Sequence, residues 1–210
     1  MNRAADLACC VLAAPLLLPL FALIALAIRL DDGGPVLFRQ PRLGRDRRTF
    51  LIAKFRTMRD ERVTRSGTWL RRSGLDETAQ LLNVLCGDMS WIGPRPLTLA
   101  DVQRLRWTGA EHDPRFRIRP GMTGLAQLYG GIGAGWTRGI DRFYRQQRGA
   151  ALDLRIVVWS LAVNLLGKAR VRDWLRSKAQ RGTSAPQEDV VSRANRIDCD
   201  RRRGENSDQG

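Results

Sequence analysis

The sequence predicts an α+β chain that opens with a helix-break-helix hairpin re-entering a membrane and continues into a small, mainly helical domain on the cytoplasmic side with amphipathic helices at the membrane interface. Three observations carry this prediction. An uncharged apolar run contains two prolines near its middle, short extended segments follow it, and helical periodicity punctuated by Gly-Pro turns fills the remainder up to a charged tail. At 210 residues the chain has room for one compact domain with an appendage.

No charge occurs from Leu7 to Ile28, and Arg3, Asp6 and Arg29 flank the run. A straight helix of that length is able to span a bilayer. Pro15 and Pro19 each remove a backbone donor and collide with the preceding turn, so a break is expected there. Each arm then has about 10 residues, or roughly 15 Å, and reaches only to about the bilayer midplane. That geometry favours entry and exit through one leaflet, and arginine on both flanks keeps both ends cytoplasmic. Two other readings compete: a single-span anchor, and a signal segment ending at Ala25-Leu26-Ala27. The run is longer than the roughly 7–15 residues of a signal core.

From Arg29 to about Gly67 the chain reads as short extended pieces, Pro35-Val36-Leu37-Phe38 and Phe50-Leu51-Ile52-Ala53-Lys54-Phe55, around a basic turn region, Pro41–Arg48. Ser73-Gly74-Leu75-Asp76 has capping-box spacing, and Leu81, Leu82, Val84 and Leu85 follow at helical intervals until Gly87, so a helix is expected to start near Ser73. Gly93-Pro94-Arg95-Pro96 and Arg119-Pro120-Gly121-Met122-Thr123-Gly124 are expected to be rigid turns. Leu152 to Leu166 is too short to span and is either a core helix or one lying on the membrane surface. From Lys168 onward charged and small residues dominate, including Arg201-Arg202-Arg203, and a disordered basic tail is expected. The domain boundaries that follow are 1–30 for the membrane hairpin, 31–167 for the folded domain and 168–210 for the tail.

The formal charge is +15, and 33 of the 36 basic residues are arginine, which suits bidentate capture of phosphate or carboxylate. Anionic partners are implied, without a choice among nucleic acid, lipid head groups and nucleotide phosphates. Cys9, Cys10, Cys86 and Cys199 form no C-x-x-C pair, so neither a disulfide framework nor a zinc site is expected. The lone histidine, His112, has no second histidine to complete a metal site and is expected at the surface.

Asp76-Glu77 begins the expected helix, with Arg71-Arg72 before it and Arg95 in a proline-clamped turn after it. Carboxylates among guanidiniums suit phosphoryl chemistry, because cations and a helix N-terminus keep a carboxylate ionised and stabilise charge on a transferring phosphoryl group. The competing explanation is structural: Asp76 as a capping-box residue and Glu77 as a first-turn surface charge.

A set of ordered blocks resembles the bacterial sugar transferases, also called monotopic phosphoglycosyl transferases. The blocks are Gly34-Pro35-Val36-Leu37-Phe38-Arg39-Gln40, Lys54-Phe55-Arg56-Thr57-Met58, Leu70-Arg71-Arg72-Ser73, Leu75-Asp76-Glu77, Gln80-Leu81-Leu82-Asn83-Val84-Leu85, Gly87-Asp88-Met89-Ser90, Gly93-Pro94-Arg95-Pro96, Arg119 to Gly124 and Leu152-Asp153-Leu154-Arg155-Ile156. With Arg3 and Asp6 they cover roughly residues 2–167. The resemblance implies a catalytic domain in which Asp76 attacks the phosphate nearest the sugar of a UDP-sugar, releases UMP and carries the sugar phosphate covalently until undecaprenyl phosphate takes it. This would be the initiating step of exopolysaccharide, O-antigen or other glycan synthesis.

It further implies Mg²⁺ as cofactor, with Glu77 and Asp76 as its protein ligands or Glu77 assisting proton transfer. Lys54, Arg56, Arg71, Arg95 and Arg119 match basic family positions and are the candidate phosphate and nucleotide contacts. The expected partners are the UDP-sugar donor, undecaprenyl phosphate and membrane lipid, at the cytoplasmic face of the bacterial inner membrane. A homodimer is left open, and no nucleic acid is expected, because zinc-finger spacing and RNP-like motifs are missing. The additional spanning helices of larger relatives are not expected. A basic nucleic-acid binder and a membrane scaffold without catalysis are the alternatives. Three departures stand out: Leu18 precedes Pro19 where the family often has serine, Thr78-Ala79 replaces Leu-Pro after the acidic pair, and Leu125 to Gly131 differs from the usual W-A-Q-V-N-G-R.

Overall fold

The computed structural model describes residues 2–128 and 134–166, and the expected tail lies outside the described residues. The chain divides into two compact units between Met122 and Thr123.

Helix α1, Arg3–Asp32, opens on Asn2, whose side chain accepts from the Ala5 amide at 2.9 Å, and closes on Gly33 in the left-handed conformation at φ 68°. It runs without interruption through Pro15 and Pro19, where a break into two arms was expected. The packing gives a reason. Cys10, Leu17, Phe21, Ile24 and Ile28 recur at intervals of three, four and seven and seat one stripe of the helix against the following elements on both sides of the prolines. That contact offsets the backbone bonds the prolines forfeit. Both prolines lie on the exposed side, among Val11, Leu12, Leu16, Leu18, Leu23, Leu26 and Leu30. Among the described helices α1 alone is long and apolar enough to cross a membrane.

Strand β1, Leu37–Leu43, pairs antiparallel with β2, Thr49–Phe55, in a register from Leu37 opposite Phe55 to Leu43 opposite Thr49. Strands β3, Met58–Arg59, and β4, Arg62–Val63, form a tight hairpin. Helix α2, Arg65–Ser73, starts at Thr64, whose hydroxyl accepts from the Gly67 amide, and ends at Gly74 with φ 73°. Ser73 therefore closes a helix instead of opening one. Its hydroxyl donates back to the Trp69 and Leu70 carbonyls, and the expected capping box does not form.

A 3-10 segment, Leu75–Gln80, leads into α3, Leu81–Cys86, which stops at Gly87. Strand β5, Ser90–Ile92, precedes the Gly93–Pro96 turn, and α4, Leu99–Arg104, carries a true capping box between Thr98 and Asp101. Helix α5, Asp113–Phe116, is followed by β6, Gly121–Thr123, which pairs with β5, so part of the second expected turn is strand. Two hydrophobic clusters hold this unit. Ile24, Ile28, Ala53, Phe55, Leu70 and Ala79 form one, and Cys10, Ile52, Leu81, Val84 and Met89 the other.

The second unit contains α6, Leu125–Leu128, α7, Ala134–Gln147, and α8, Ala150–Leu166. The Tyr144 hydroxyl donates to the buried Asp153 carboxylate at 2.9 Å, and Ile140 and Ile156 are fully buried. Helix α8 is thus packed through Asp153 and Ile156, while Leu154, Val157 and Val158 remain exposed.

Candidate active site

Gly74 reverses the chain after α2, and Leu75, Ala79 and Gln80 bed the 3-10 segment into the core beneath it. Asp76 and Glu77 are left half-buried above that floor. Strand β2 delivers Lys54 to them: Ile52, Ala53 and Phe55 are locked in the two clusters, and the Lys54 ammonium donates to Glu77 Oε1 at 2.8 Å. Arg71 from α2 donates to the Thr57 hydroxyl at 2.9 Å. Burial pushes the Asp76 carboxyl above its ordinary pKa and the negative charge of Glu77 adds to this, while Lys54 and Arg71 pull the other way. The structural explanation for Asp76 as a helix cap is therefore removed, and a carboxylate flanked by one acid and two bases is what remains.

The loops bearing Arg95 and Arg119 are bonded to each other. The Gly121 amide donates to Pro94 O at 2.9 Å, and the Ser90 amide to Pro120 O at 2.9 Å. Gly93 is required at this crossing, since a Cβ there would stand 2.5 Å from Arg119 O. Arg95 is exposed, and its carbonyl accepts from Arg115 at 2.7 Å. Arg115 in turn lies over the rings of Trp107 and Phe116. Trp107 stacks on His112 at 5.6 Å between centroids, which draws His112 into the interior, contrary to its expected surface position.

Two further arginines are held by partners remote in sequence. Arg56 is ion-paired with Asp32 at the end of α1, its guanidinium lying directly over Gly34. That guanidinium, followed by the Gly34 amide, holds the Asp32 carboxyl below the usual carboxylate range. Arg56 is thus engaged by the helix end. Arg42, passed over in the sequence as part of a basic turn, donates to Gln40 at 2.7 Å and to Pro96 O and Asp101 at 3.4 Å each. Burial and then the charge of Arg95 push its pKa down, while Asp101 and Glu77 hold it up, so Arg42 lies within electrostatic reach of both Arg95 and Glu77. Its sequence signal is weak, because Pro96 and Asp101, the partners that bring it to the site, stand more than fifty residues away.

Among the described residues no three or more His, Cys, Asp or Glu side chains cluster for a metal. Mg²⁺ asks for less: one or two carboxylates plus substrate phosphates complete its octahedron. The mutual repulsion of Asp76 and Glu77 is what a divalent cation relieves, so the pair fits such an ion.

Both ends of α1 are fastened to the same unit. Near the start, Arg3 donates to the Val84 and Leu85 carbonyls, and the fully buried Asp6 accepts from the Ser90 hydroxyl at 2.8 Å and the Trp91 amide at 3.1 Å. At the finish, Asp31 accepts from the Ser66 amide and hydroxyl at 2.8 Å each, and Arg59 donates to Asp32 O at 3.0 Å.

Residues 1–167 match the family model described as bacterial sugar transferase. An undecaprenyl-phosphate glucose phosphotransferase of Komagataeibacter xylinus is 43% identical over 183 residues, covering 78% of this chain and 34% of the relative. UDP-glucose:undecaprenyl-phosphate glucose-1-phosphate transferases of Caulobacter vibrioides and Escherichia coli K12 are 42% and 35% identical, over 76% and 77% of this chain and 64% and 37% of their own. The chain therefore spans about a third of the length of two of these relatives and under two thirds of the other.

Proposed function

The chain belongs to the bacterial sugar transferase family, and on that footing we propose that it transfers a sugar-1-phosphate from a UDP-sugar to undecaprenyl phosphate through a covalent adduct on Asp76. The observation that carries the proposal is the half-buried Asp76 carboxyl beside Glu77, with Lys54 ion-paired to Glu77 and the charge of Arg71 acting on Asp76. In the first step an Asp76 oxygen attacks the phosphorus nearest the sugar, the bond to the bridging oxygen breaks, and UMP leaves with that oxygen. In the second an oxygen of undecaprenyl phosphate attacks the same phosphorus, and the Asp76 carboxylate departs restored.

Lys54 holds Glu77 in place and adds positive charge where the diphosphate must approach. Arg71, Arg95 and Arg119 are the proposed contacts for the donor phosphates, with Arg42 tying the Arg95 turn to β1. Asp76 and Glu77 would hold Mg²⁺, which when bound screens the carboxylate from the anionic donor and stabilises charge on the transferring phosphoryl group. UDP-glucose is the first donor to try, since the three relatives above carry glucose in their names.

We place the catalytic unit on the cytoplasmic face of the inner membrane, with α1 seated in one leaflet. The reading is supported by the anchoring of both helix ends to one unit, which a simple span would separate by a bilayer, and by the apolar side the helix leaves exposed. Cysteine labelling of positions 2 and 32 in intact spheroplasts tests it: protection at both fits, and labelling of one alone establishes a span instead.

The test of the chemistry is incubation with UDP-glucose and Mg²⁺ in the absence of lipid acceptor. Stoichiometric UMP and a hexose-phosphate adduct on Asp76, seen by intact-protein mass spectrometry, are expected, and Asp76→Asn should lose both. UMP release that depends strictly on added polyprenyl phosphate in a single turnover would overturn the covalent route.

A further inference from the structure

The outward face of α2 carries side chains for which the transferase reading has no use. At about 100° of rotation per residue, Arg65, Trp69 and Arg72 fall on the side opposite the buried Gly67 and Leu70, while Arg71 turns towards Thr57. All three outward residues are exposed, and Trp69 leaves 54% of its surface uncovered, whereas Trp107 in the same unit leaves 1%. No hydrogen bond, ion pair or ring contact engages the three side chains among the described residues. Two unpaired guanidiniums thus flank an uncovered indole along two turns of one helix.

The position of this face is fixed by its neighbours. Asp31, at the end of α1, accepts from the amide and hydroxyl of Ser66 in the first turn of α2. Gly67 presses on the Thr57 backbone so closely that a Cβ would stand 2.1 Å from Thr57 O, and Arg59 of the adjoining hairpin donates to Asp32 O at 3.0 Å. Helix α2 is therefore clamped beside the point where the exposed apolar side of α1, ending in Leu26 and Leu30, gives way to polar chain. The hairpin tip carries Asp60 and Glu61 next to Arg59 and Arg62, so its charges offset one another and the basic surface is the helix face.

We propose that Arg65, Trp69 and Arg72 dock α2 on anionic phospholipid head groups, the indole at the boundary between head groups and hydrocarbon and the guanidiniums on lipid phosphates. This rests on the reading of α1 as seated in the membrane. The chemistry matches on each count: tryptophan concentrates at bilayer interfaces, arginine forks onto phosphate oxygens, and a partner for unpaired cations must be anionic. Docking here would hold the side of the catalytic unit nearest the helix exit flat against the bilayer.

The test uses the full chain in nanodiscs containing phosphatidylglycerol and phosphatidylcholine at equal mole fraction, with one or the other brominated in its acyl chains. The difference in quenching between wild type and Trp69→Phe isolates the Trp69 signal. Brominated phosphatidylglycerol is expected to quench that signal more than brominated phosphatidylcholine. Arg65→Gln and Arg72→Gln should each lower the relative preference about fivefold at low salt, and high salt should abolish it. Equal quenching by the two lipids would overturn the head-group assignment. No Trp69 quenching in nanodiscs that still release UMP would remove the lipid surface and leave the transferase standing. Failure of wild type to incorporate into nanodiscs would instead strike the membrane reading of α1 and the proposal with it.

Discussion

Asn83 offers the sharpest check on how the fold positions the site. Strand β2 is paired with β1 along one edge only, and Asn83 from α3 closes the other edge as a strand would. Its Oδ1 accepts from the buried Ala53 amide at 2.8 Å, and its Nδ2 donates to Leu51 O at 2.7 Å. Replacement by the similarly sized leucine removes both bonds and orphans two main-chain groups. An unsatisfied buried group costs about 1–3 kcal/mol. The Ala53 amide should bear most of that, and the more exposed Leu51 carbonyl less because water reaches it. Against the gain from an added apolar side chain, a net loss of roughly 2–3 kcal/mol is expected for Asn83→Leu. In a chain of this size that lowers the thermal midpoint by roughly 5–10 °C. Differential scanning fluorimetry in detergent reads the midpoint, and UMP release reads the consequence for Lys54, which follows Ala53 directly. A midpoint shift equivalent to less than about 0.5 kcal/mol, with unchanged turnover, would refute the reasoning that this side chain substitutes for a third strand.

Lys54→Gln should leave stability within about 1 kcal/mol, since Glu77 is 42% exposed and solvent screens the pair, yet cut UMP release severely. It should also move the acid limb of the adduct-forming step to higher pH, because Lys54 is one of the groups drawing the Asp76 pKa down. In wild type without divalent ions, that acid limb should already lie above the ordinary carboxylate range, as burial and Glu77 dictate. The same upward shift means that the folded state prefers protonated Asp76, so stability is lost as pH rises through its pKa. Asp76→Asn should then keep or raise the neutral-pH midpoint while abolishing the adduct, and a lowered midpoint would revive the capping explanation. At the β3–β4 turn Asp60 and Glu61 both have positive φ, 47° and 62°. Glu61→Gly should therefore stabilise the protein by about 1 kcal/mol, with turnover unchanged. A midpoint shift of the opposite sign would argue against the turn geometry.

What could be read from the sequence was what depends on local pattern. The extended run from Phe50 to Phe55 coincides with β2, and the Leu152–Leu166 segment lies within α8, because strand alternation and helical spacing are written in adjacent residues. The acidic pair stands out through its arginine neighbours and Lys54 only through the family resemblance, and the ion pair between Lys54 and Glu77 joins residues 23 positions apart. Serine before a turn suits either end of a helix, and at Ser73 the deciding residue is Gly74, whose φ of 73° marks a C-terminus. The arginines divide for a different reason. Arg42 and Arg56 are the same residue type in similar contexts, and only distant partners, Asp101 for one and Asp32 for the other, decide that the first approaches the site and the second clamps a helix end. His112 lies inside for a local reason, its stacking on Trp107 five positions earlier, which no spacing rule for lone histidines anticipates.

The two core clusters place the apolar helix within the catalytic unit itself. Ile24 and Ile28 of α1 pack with Ala53 and Phe55 on β2 and with Ala79 beneath the acidic pair, and Cys10 packs with Ile52, Leu81 and Val84. Strand β2 is thus sandwiched so that the residues on either side of Lys54 are held by side chains of α1. A soluble fragment lacking α1 would expose Ala53, Phe55, Ala79 and Val84 together, all of them at most 5% exposed in the intact chain. The helix that provides the apolar outer surface is for that reason also the floor on which Asp76, Glu77 and Lys54 are assembled. On the proposed reaction, the packing of Ile24 and Ile28 against Ala79 would tie the segment that bears the carboxylates to the helix seated in the membrane, where a lipid phosphate and a water-soluble donor would have to meet.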